Sequence, residues 1–233
     1  MWHFLFVVSH IIPLNNGRVA NLIGSGPPIV FSSGLYGICP HQAYSNVANL
    51  LSKNLTVVHV EGGVKFMSVD DIESVADALN VDKLGFFSHS SFDPDILEST
   101  RVKKAVLCDP IGTPKLSSIL NFKFQPHVKT DIQVLQIKAE KLYNGKFELP
   151  IWNQWNIEGD VKSIFIDSGH VDLMDDSWVS IAKKIGFWEM LTPPSTNFQD
   201  FQFTRSDMKK IRSNYRKHLA KVSIDFLLNK GTI

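Results

Sequence analysis

The feature that most constrains the fold is a series of short apolar segments, each followed by a loop or by a helical pattern. These segments predict buried strands at residues 29–31, 57–60, 84–87, 104–108, 132–137 and 163–166. Strands that are apolar at every position are typical of a mainly parallel sheet with helices packed on both of its faces. The chain is therefore predicted to have an α/β fold.

Several of the intervening segments have helical periodicity. Apolar positions predict a helix over residues 41–53, and Ser68 is predicted to cap a second helix that ends near Asn80. A long helix is predicted over about 206–229, with an apolar stripe against the core and its basic residues on a solvated face. Ahead of these elements, a pair of strands is predicted at residues 3–8 and 18–23.

Length and composition indicate one globular domain, residues 1–233. A net charge of +1 gives no reason to expect nucleic acid as a partner. The apolar stretch 4–8 is too short to span a bilayer, so it is interpreted as a strand and no transmembrane segment is expected. The two cysteines, Cys39 and Cys108, favour a reducing compartment such as the cytoplasm. No metal-ligand spacing or nucleotide motif is present, so neither a metal nor a cofactor is expected.

Three polar residues follow predicted strands in the chain order serine, aspartate, histidine. Ser90 lies in the small-residue turn after residues 84–87, Asp109 ends the strand 104–108, and His170 follows the strand 163–166. A serine on a sharp strand-to-helix turn can act as a nucleophile if a histidine takes its proton and an acid orients that histidine. This chain order is the one used by α/β-hydrolases.

The identity of the acid is open on this reasoning alone. Asp109 ends the strand next to the serine strand in sequence, and Glu140 ends the strand after that. Either position could place a carboxylate beside His170. His89, which adjoins the nucleophile, is expected to point away from it.

Backbone amides are expected to stabilise the negative charge that acyl transfer places on the former carbonyl oxygen. The residue after the nucleophile, Ser91, would supply one amide. The loop after strand 29–31 would supply the other, at Leu35. An apolar substrate pocket is predicted to be lined by four further side chains: Tyr36, His41, Trp152 and Trp155.

Over roughly residues 27–190 the chain resembles the chlorophyllase-like esterases of the α/β-hydrolase superfamily. Pro28–Tyr36 is similar to that family's strand and oxyanion loop, with a serine where a histidine is usual. Ser88–Asp93 corresponds to its Gly-His-Ser-Arg-Gly-Gly elbow, and Leu107–Gly112 resembles its Leu-Asp-Pro-Val segment. Gly169–Asp176 is close to its Gly-His-Met-Asp-Met-Leu-Asp-Asp stretch, which is the most specific match.

The resemblance implies Ser90 as nucleophile, Asp109 rather than Glu140 as acid, and His170 as base. It implies a carboxylic ester hydrolase or lipase with an apolar small-molecule ester as the expected substrate. An alternative is a non-catalytic member of the fold that binds a ligand or a protein, because Phe92 and Asp93 stand where the family has two glycines. Acyltransferase or thioesterase activity on the same three residues is a third hypothesis.

Overall fold

The computed structural model describes residues 9–34, 39–61, 66–112, 127–139, 153–166, 168, 170–178, 180 and 205–230. Its centre is an eight-stranded sheet with the strand order β1-β2-β4-β3-β5-β6-β9-β12. The strands of this sheet are β1 (Ser9–Pro13), β2 (Val19–Ile23), β3 (Pro28–Ser32), β4 (Thr56–Glu61), β5 (Leu84–His89), β6 (Val102–Cys108), β9 (Gln133–Ala139) and β12 (Val161–Ile166).

The sheet is parallel from β4 to β12, and antiparallel only where β1 pairs with β2 and β2 pairs with β4. Parallel strands with both faces covered account for the continuous apolar runs of the sequence. The carboxyl ends of the parallel strands lie at one edge of the sheet, and that edge is where ligands bind in open α/β sheets. The predicted α/β class and its mainly parallel sheet are confirmed.

Four shorter strands form two small ladders outside the central sheet. One ladder is antiparallel and the other is parallel. Their members are β7 (Ile111–Gly112) with β10 (Asn153–Gln154), and β8 (His127–Lys129) with β11 (Asn156–Glu158).

The first described strand lies closer to the opening turn than predicted. Ser9–Pro13 pairs with Val19–Ile23 so that Pro13 faces Val19 directly across the Asn15–Gly17 turn. A short hairpin loop requires its two strands to begin at the turn itself, which residues 3–8 could not do. Residues 3–8 are outside the described residues.

Helices cover both faces of the sheet. Helix α1 (Ser45–Leu51) follows a 3-10 turn at His41–Tyr44, and it packs with helix α3 (Arg205–Leu227) on one face. Helix α2 (Val69–Ala78) and a 3-10 helix at Pro94–Glu98 cover the other face. Two separate apolar cores result, one on each side of the sheet.

The start of α2 is fixed as the sequence predicts. The backbone N–H of Ser68 donates to Asp71 Oδ2 across 3.0 Å, as in a capping box. Asp71 is buried and also accepts from Arg18 at 2.7 Å and from Asn16 Nδ2 at 2.8 Å. This network ties the amino end of α2 to the β1–β2 hairpin.

The basic residues of α3 depart from the prediction of a solvated face. Arg212 and Arg216 are buried, and both donate to Asp176 Oδ1 across 2.9 Å. They lie one turn apart on the side of the helix that includes buried Tyr215 and Leu219, so helical periodicity places them against the protein. At the other end of α3, Lys104 Nζ donates to the Phe226 carbonyl at 2.9 Å, where a cation favours the helix dipole.

Among the described helices, none is both long enough and apolar enough to cross a bilayer. Cys39 and Cys108 are both free thiols. Burial raises the pKa of Cys39 to about 11, and the pKa of Cys108 is also raised well above its ordinary value. Both thiols are therefore protonated and unreactive at neutral pH.

Candidate active site

Ser90 lies directly after β5 in a strained backbone conformation. Its φ is +67°, in the left-handed region that L-residues with a side chain seldom adopt. Its backbone N–H donates to the carbonyl of Cys108 across 2.9 Å, which links the ends of β5 and β6. β5 continues to His89, two residues beyond the predicted end, so Ser90 is the first residue of the turn. Positive φ at the residue that ends a buried parallel strand is the geometry of a nucleophile elbow.

The segment after the elbow is not a regular α-helix. It is a five-residue 3-10 helix, Pro94–Glu98, in which Asp93 Oδ1 accepts from the N–H of Asp95 at 3.1 Å. A helix this short offers no developed dipole, so anion stabilisation at the elbow falls to individual amides. Phe92 is fully buried, with its ring 6.2 Å from Phe86 and 5.4 Å from Trp155. Its bulk therefore faces the apolar core.

Asp109 and His170 form a buried pair at the same edge of the sheet. Asp109 Oδ2 lies 3.2 Å from His170 Nδ1, and both side chains are almost completely buried. The other oxygen, Oδ1, accepts from the N–H of Ala139 at 2.5 Å, so the carboxylate bridges the end of β9 to the histidine. Asp109 also has positive φ, +47°, and its N–H donates to the Ile137 carbonyl at 2.8 Å. An imidazole held at Nδ1 by a carboxylate presents Nε2 for proton transfer.

Within the described residues, no hydrogen bond joins Ser90 Oγ to His170. Catalytic hydrogen bonds of a free enzyme are often long and shorten when substrate binds. Ser90 and His170 are both buried. The elbow and the buried pair thus supply a strained serine and an oriented imidazole at one sheet edge.

The expected oxyanion donors are partly visible. Ser91 is buried, and no hydrogen bond within the described residues uses its backbone N–H. Leu35 and Tyr36 lie outside the described residues, but Gly34, immediately before them, donates its N–H to Tyr44 Oη at 3.0 Å.

The remaining predicted pocket residues are distributed differently. His41 is partly exposed, and its Nδ1 lies 3.0 Å from Glu61 Oε1. Trp155 is only 4% exposed and packs in the core beside Phe92. Trp152 lies outside the described residues, as does Glu140, the alternative acid.

His89 is a member of the site that the sequence interpretation did not recognise. Its ring stacks on the His170 ring, with centroids 4.6 Å apart and planes inclined by 30°. Its Nε2 lies 2.8 Å from the His170 carbonyl, and its Nδ1 lies 2.8 Å from Tyr44 Oη. The period of two along a strand could have indicated this, since His89 shares a face with Phe87, which packs in the same core as Tyr44.

The 3-10 turn that begins at His170 is anchored from two sides. Arg216 Nε donates to the Asp172 carbonyl at 3.2 Å, and its Nη2 donates to the Met174 carbonyl. On the other side, the N–H of Asp175 donates to the Ala43 carbonyl at 2.7 Å, and the N–H of Asn46 donates to Asp175 Oδ1 at 3.1 Å. The backbone carbonyls of this segment and the Asp175 carboxylate therefore fix the position of the loop.

The same residues were assessed as a metal centre. One potential ligand atom from each of His89, Asp109 and His170 lies within 4.8 Å of the others. Both ring nitrogens of His89 are engaged in hydrogen bonds, and His170 Nδ1 faces Asp109. A metal ion would have to replace these bonds, so the donor set fits a hydrogen-bonded assembly better than a metal centre.

Comparison with known proteins gives matches among solved structures alone. No protein-family model matches the sequence, and no curated protein matches it. The chain is similar to an α/β fold family hydrolase from Bacillus anthracis, at 12% identity and a TM-score of 0.48, over 79% of this chain and 99% of that one. It is also similar to a dienelactone hydrolase from Anabaena variabilis, at 15% identity and a TM-score of 0.48, over 78% of this chain and 97% of that one.

A third similar structure is an epoxide hydrolase from Vigna radiata. It is 19% identical, with a TM-score of 0.35, over 44% of this chain and 38% of that one, so the chain spans well under half of that enzyme. We assign the fold class from this chain's own strand order, strand register and Ser90 turn. The chain has the α/β-hydrolase fold.

Proposed function

We propose that this protein is a serine hydrolase that cleaves carboxylic esters, with Ser90 as nucleophile, His170 as base and Asp109 as the orienting acid. The observation that carries the proposal is the buried contact between Asp109 Oδ2 and His170 Nδ1, 3.2 Å long, at the edge that bears Ser90. Asp109 takes the role of acid over Glu140 because its carboxylate already contacts the imidazole.

In the first half-reaction, Ser90 Oγ attacks the acyl carbon while His170 Nε2 accepts the hydroxyl proton. The carbonyl π electrons move onto oxygen and form a tetrahedral oxyanion. When this intermediate collapses, the bond to the alcohol oxygen breaks and His170 returns the proton to that oxygen. The alcohol leaves, and an acyl-Ser90 ester remains.

In the second half-reaction, His170 deprotonates a water molecule that attacks the acyl-Ser90 ester. The Ser90 oxygen leaves and recovers its proton from His170, and the carboxylic acid is released. An alcohol or amine in place of water would make the protein an acyltransferase, and a thioester substrate would make it a thioesterase. Product analysis with and without an added acceptor alcohol separates these outcomes.

Ser91 and Leu35 are the proposed donors to the oxyanion. Within the described residues no hydrogen bond uses the Ser91 amide, which supports its part in this pair. Each such donor contributes about 3 to 4 kcal/mol to stabilisation of the transition state. The burial of this edge excludes water and strengthens that interaction further.

The alternative of a non-catalytic binding module was motivated by Phe92 and Asp93. The Phe92 ring packs between Phe86 and Trp155, and the Asp93 carboxylate caps the following turn. Neither side chain therefore needs to displace Ser90. This accommodation supports the enzymatic function over the binding module.

The proposed substrate class is an ester with an apolar acyl or alcohol group. Tyr36, His41 and Trp152 remain the proposed pocket residues, whereas the burial of Trp155 in the core leaves it a supporting position behind the elbow. The resemblance to chlorophyllase-like esterases makes chlorophyll one substrate to include with short-chain and long-chain esters. Preference for long chains would support the apolar pocket, and equal turnover of acetate and long-chain esters would contradict it.

Labelling with a fluorophosphonate tests the proposal directly. The purified protein should gain the mass of one phosphonyl group, and the variants S90A and H170A should not. Ser52→Ala is a matched control, because it removes a serine hydroxyl at the end of α1, outside the proposed site. Absence of labelling in folded wild-type protein would favour the binding module.

A further inference from the structure

A chain of hydrogen bonds links the oxyanion loop to the backbone of the proposed base. The N–H of Gly34 donates to Tyr44 Oη at 3.0 Å, and Tyr44 Oη lies 2.8 Å from His89 Nδ1. His89 Nε2 in turn lies 2.8 Å from the carbonyl oxygen of His170. Tyr44, His89 and His170 are each only 1 to 3% exposed.

The direction of each bond follows from what each atom can do. The His170 carbonyl can only accept, so His89 Nε2 carries the hydrogen and donates it. In a neutral ring of this tautomer Nδ1 is an acceptor, so Tyr44 donates its hydroxyl hydrogen to His89. Burial raises the pKa of Tyr44, which keeps that hydroxyl protonated. The Tyr44 oxygen is then free to accept from Gly34.

The stacked rings of His89 and His170 would repel each other if both were charged. Burial, and next to it the nearby His170, lower the pKa of His89 well below its ordinary value. A neutral His89 ring can remain 4.6 Å from His170 when the latter becomes an imidazolium during the reaction. A charged neighbour there would oppose that proton transfer.

We propose that Tyr44 and His89 are positioning residues, which hold the His170 imidazole and the backbone of Gly34 in a single fixed geometry. This inference rests on the proposed function, since it assigns the two residues a role in the same site. Neither side chain needs to touch the substrate. A misplacement of about 1 Å in such a site can lower a rate about a hundredfold.

The space around Gly34 agrees with this role. A Cβ atom placed on Gly34 would lie 2.8 Å from Tyr44 Oη, closer than such contacts occur. The Tyr44 hydroxyl therefore lies against the backbone of Gly34. Gly34 and the His170 carbonyl are thus linked through Tyr44 and His89.

Two substitutions of His89 separate positioning from simple packing. Glutamine places an amide N–H near the position of Nε2, so H89Q can still donate to the His170 carbonyl. Asparagine is one carbon shorter, so H89N can accept from Tyr44 but cannot reach that carbonyl. We expect H89N to lose about a hundredfold in kcat with little change in KM, and H89Q to recover most of it.

A second readout does not depend on activity. With 15N-labelled histidine, NMR of the wild type should show a protected low-field proton on His170 Nδ1, bonded to Asp109. We expect H89Q to retain this resonance and H89N to lose it or broaden it. Tyr44→Phe keeps the ring and removes the hydroxyl, so it should weaken the resonance even if H89N does not fold.

The outcomes are distinct. The positioning role would be overturned if H89N and H89Q had the same kcat and the same His170 resonance. It would also be overturned if the resonance were unchanged in H89N and Y44F. A wild-type protein that fails to label with fluorophosphonate would contradict the proposed function. The resonance would still decide whether His89 orders the His170 imidazole.

Discussion

The backbone N–H of Ser90 donates to the carbonyl of Cys108 across 2.9 Å, so the turn that bears the proposed nucleophile is held by the neighbouring strand. Ser90 has positive φ directly after the last residue of β5, and Asp109 has positive φ directly after the last residue of β6. Strain at such positions persists only where surrounding contacts determine the backbone. The paired ends of β5 and β6 provide those contacts.

Glycine at position 90 should relieve this strain. We expect S90G to be about 1 kcal/mol more stable than S90A, since left-handed φ costs an L-residue about 1 to 2 kcal/mol and the added freedom of glycine offsets part of the gain. For a chain of this size that corresponds to about 3 °C in Tm, measured by calorimetry. At Ser91, which lacks positive φ, the order of glycine and alanine should reverse.

Asp109→Asn should preserve the fold and abolish most of the activity. Asparagine tolerates left-handed φ and can still accept from the Ala139 N–H, but its amide would favour the wrong tautomer of His170. We expect kcat to fall about 10⁴-fold, measured on whichever ester the wild type turns over fastest. Glu140→Gln is the matched control and should lose little. The reverse ranking would make Glu140 the acid.

Phe92→Ala tests whether the bulky elbow residue hinders catalysis or supports the core. Because the ring is fully buried against Phe86 and Trp155, we expect the free energy of unfolding to fall by about 3 to 5 kcal/mol, with no gain in kcat. Denaturant titration measures the first quantity. Phe165→Ala, at a side chain that is 55% exposed, should change stability by less than about 1 kcal/mol. A faster F92A enzyme would contradict this account.

Arg216→Met should loosen the loop that bears the base. The buried guanidinium donates to the carbonyls of Asp172 and Met174 and to Asp176, and methionine keeps only its apolar length. We expect a loss of about 3 kcal/mol in unfolding free energy and slower fluorophosphonate labelling of folded protein. Lys217→Met, one residue along on the exposed side of α3, should do neither. If R216M is labelled at the wild-type rate, the contacts of Arg216 do not affect the reactivity of Ser90.

His59 should make the protein less stable in acid. Burial first, and His41 next, lower the pKa of His59 to about 3, against an ordinary value near 6.5. As pH falls below 6.5 the unfolded chain takes up a proton that the folded chain refuses until about pH 3. His59→Phe keeps a ring against Phe31 and removes this titration. We expect the fall in unfolding free energy to become shallower by up to about 1.4 kcal/mol per pH unit, and an unchanged slope would refute the assignment.

The sheet could be predicted well because its strands are continuous apolar runs in the sequence. The strand boundaries agree within a few residues for the six predicted parallel strands. The hairpin strand was misplaced because apolarity at residues 4–8 outweighed the geometric demand of the turn. Helix α3 was predicted correctly in extent, but Arg212 and Arg216 were assigned to solvent because composition does not reveal a distant partner such as Asp176.

The candidate site could be predicted to the level of which residues end which strands. Ser90, Asp109 and His170 follow strands whose carboxyl ends meet, and the contact between Asp109 and His170 is the one their positions implied. Tyr44 and His89 could not be found in that way. Their role depends on a hydrogen bond to a backbone carbonyl and on ring stacking, neither of which leaves a motif in the chain.

The anchoring of the His170 loop by Arg212 and Arg216 also sets an order of events during synthesis. A growing chain contains Ser90, Asp109 and His170 before the ribosome has added either arginine. Until α3 emerges, the carbonyls of Asp172 and Met174 and the carboxylate of Asp176 lack their arginine partners, so the nascent chain would hold the three reactive groups with only part of the contacts that align them. A stalled chain that ends before Arg212 should therefore resist fluorophosphonate, and reactivity should begin only when the last helix docks.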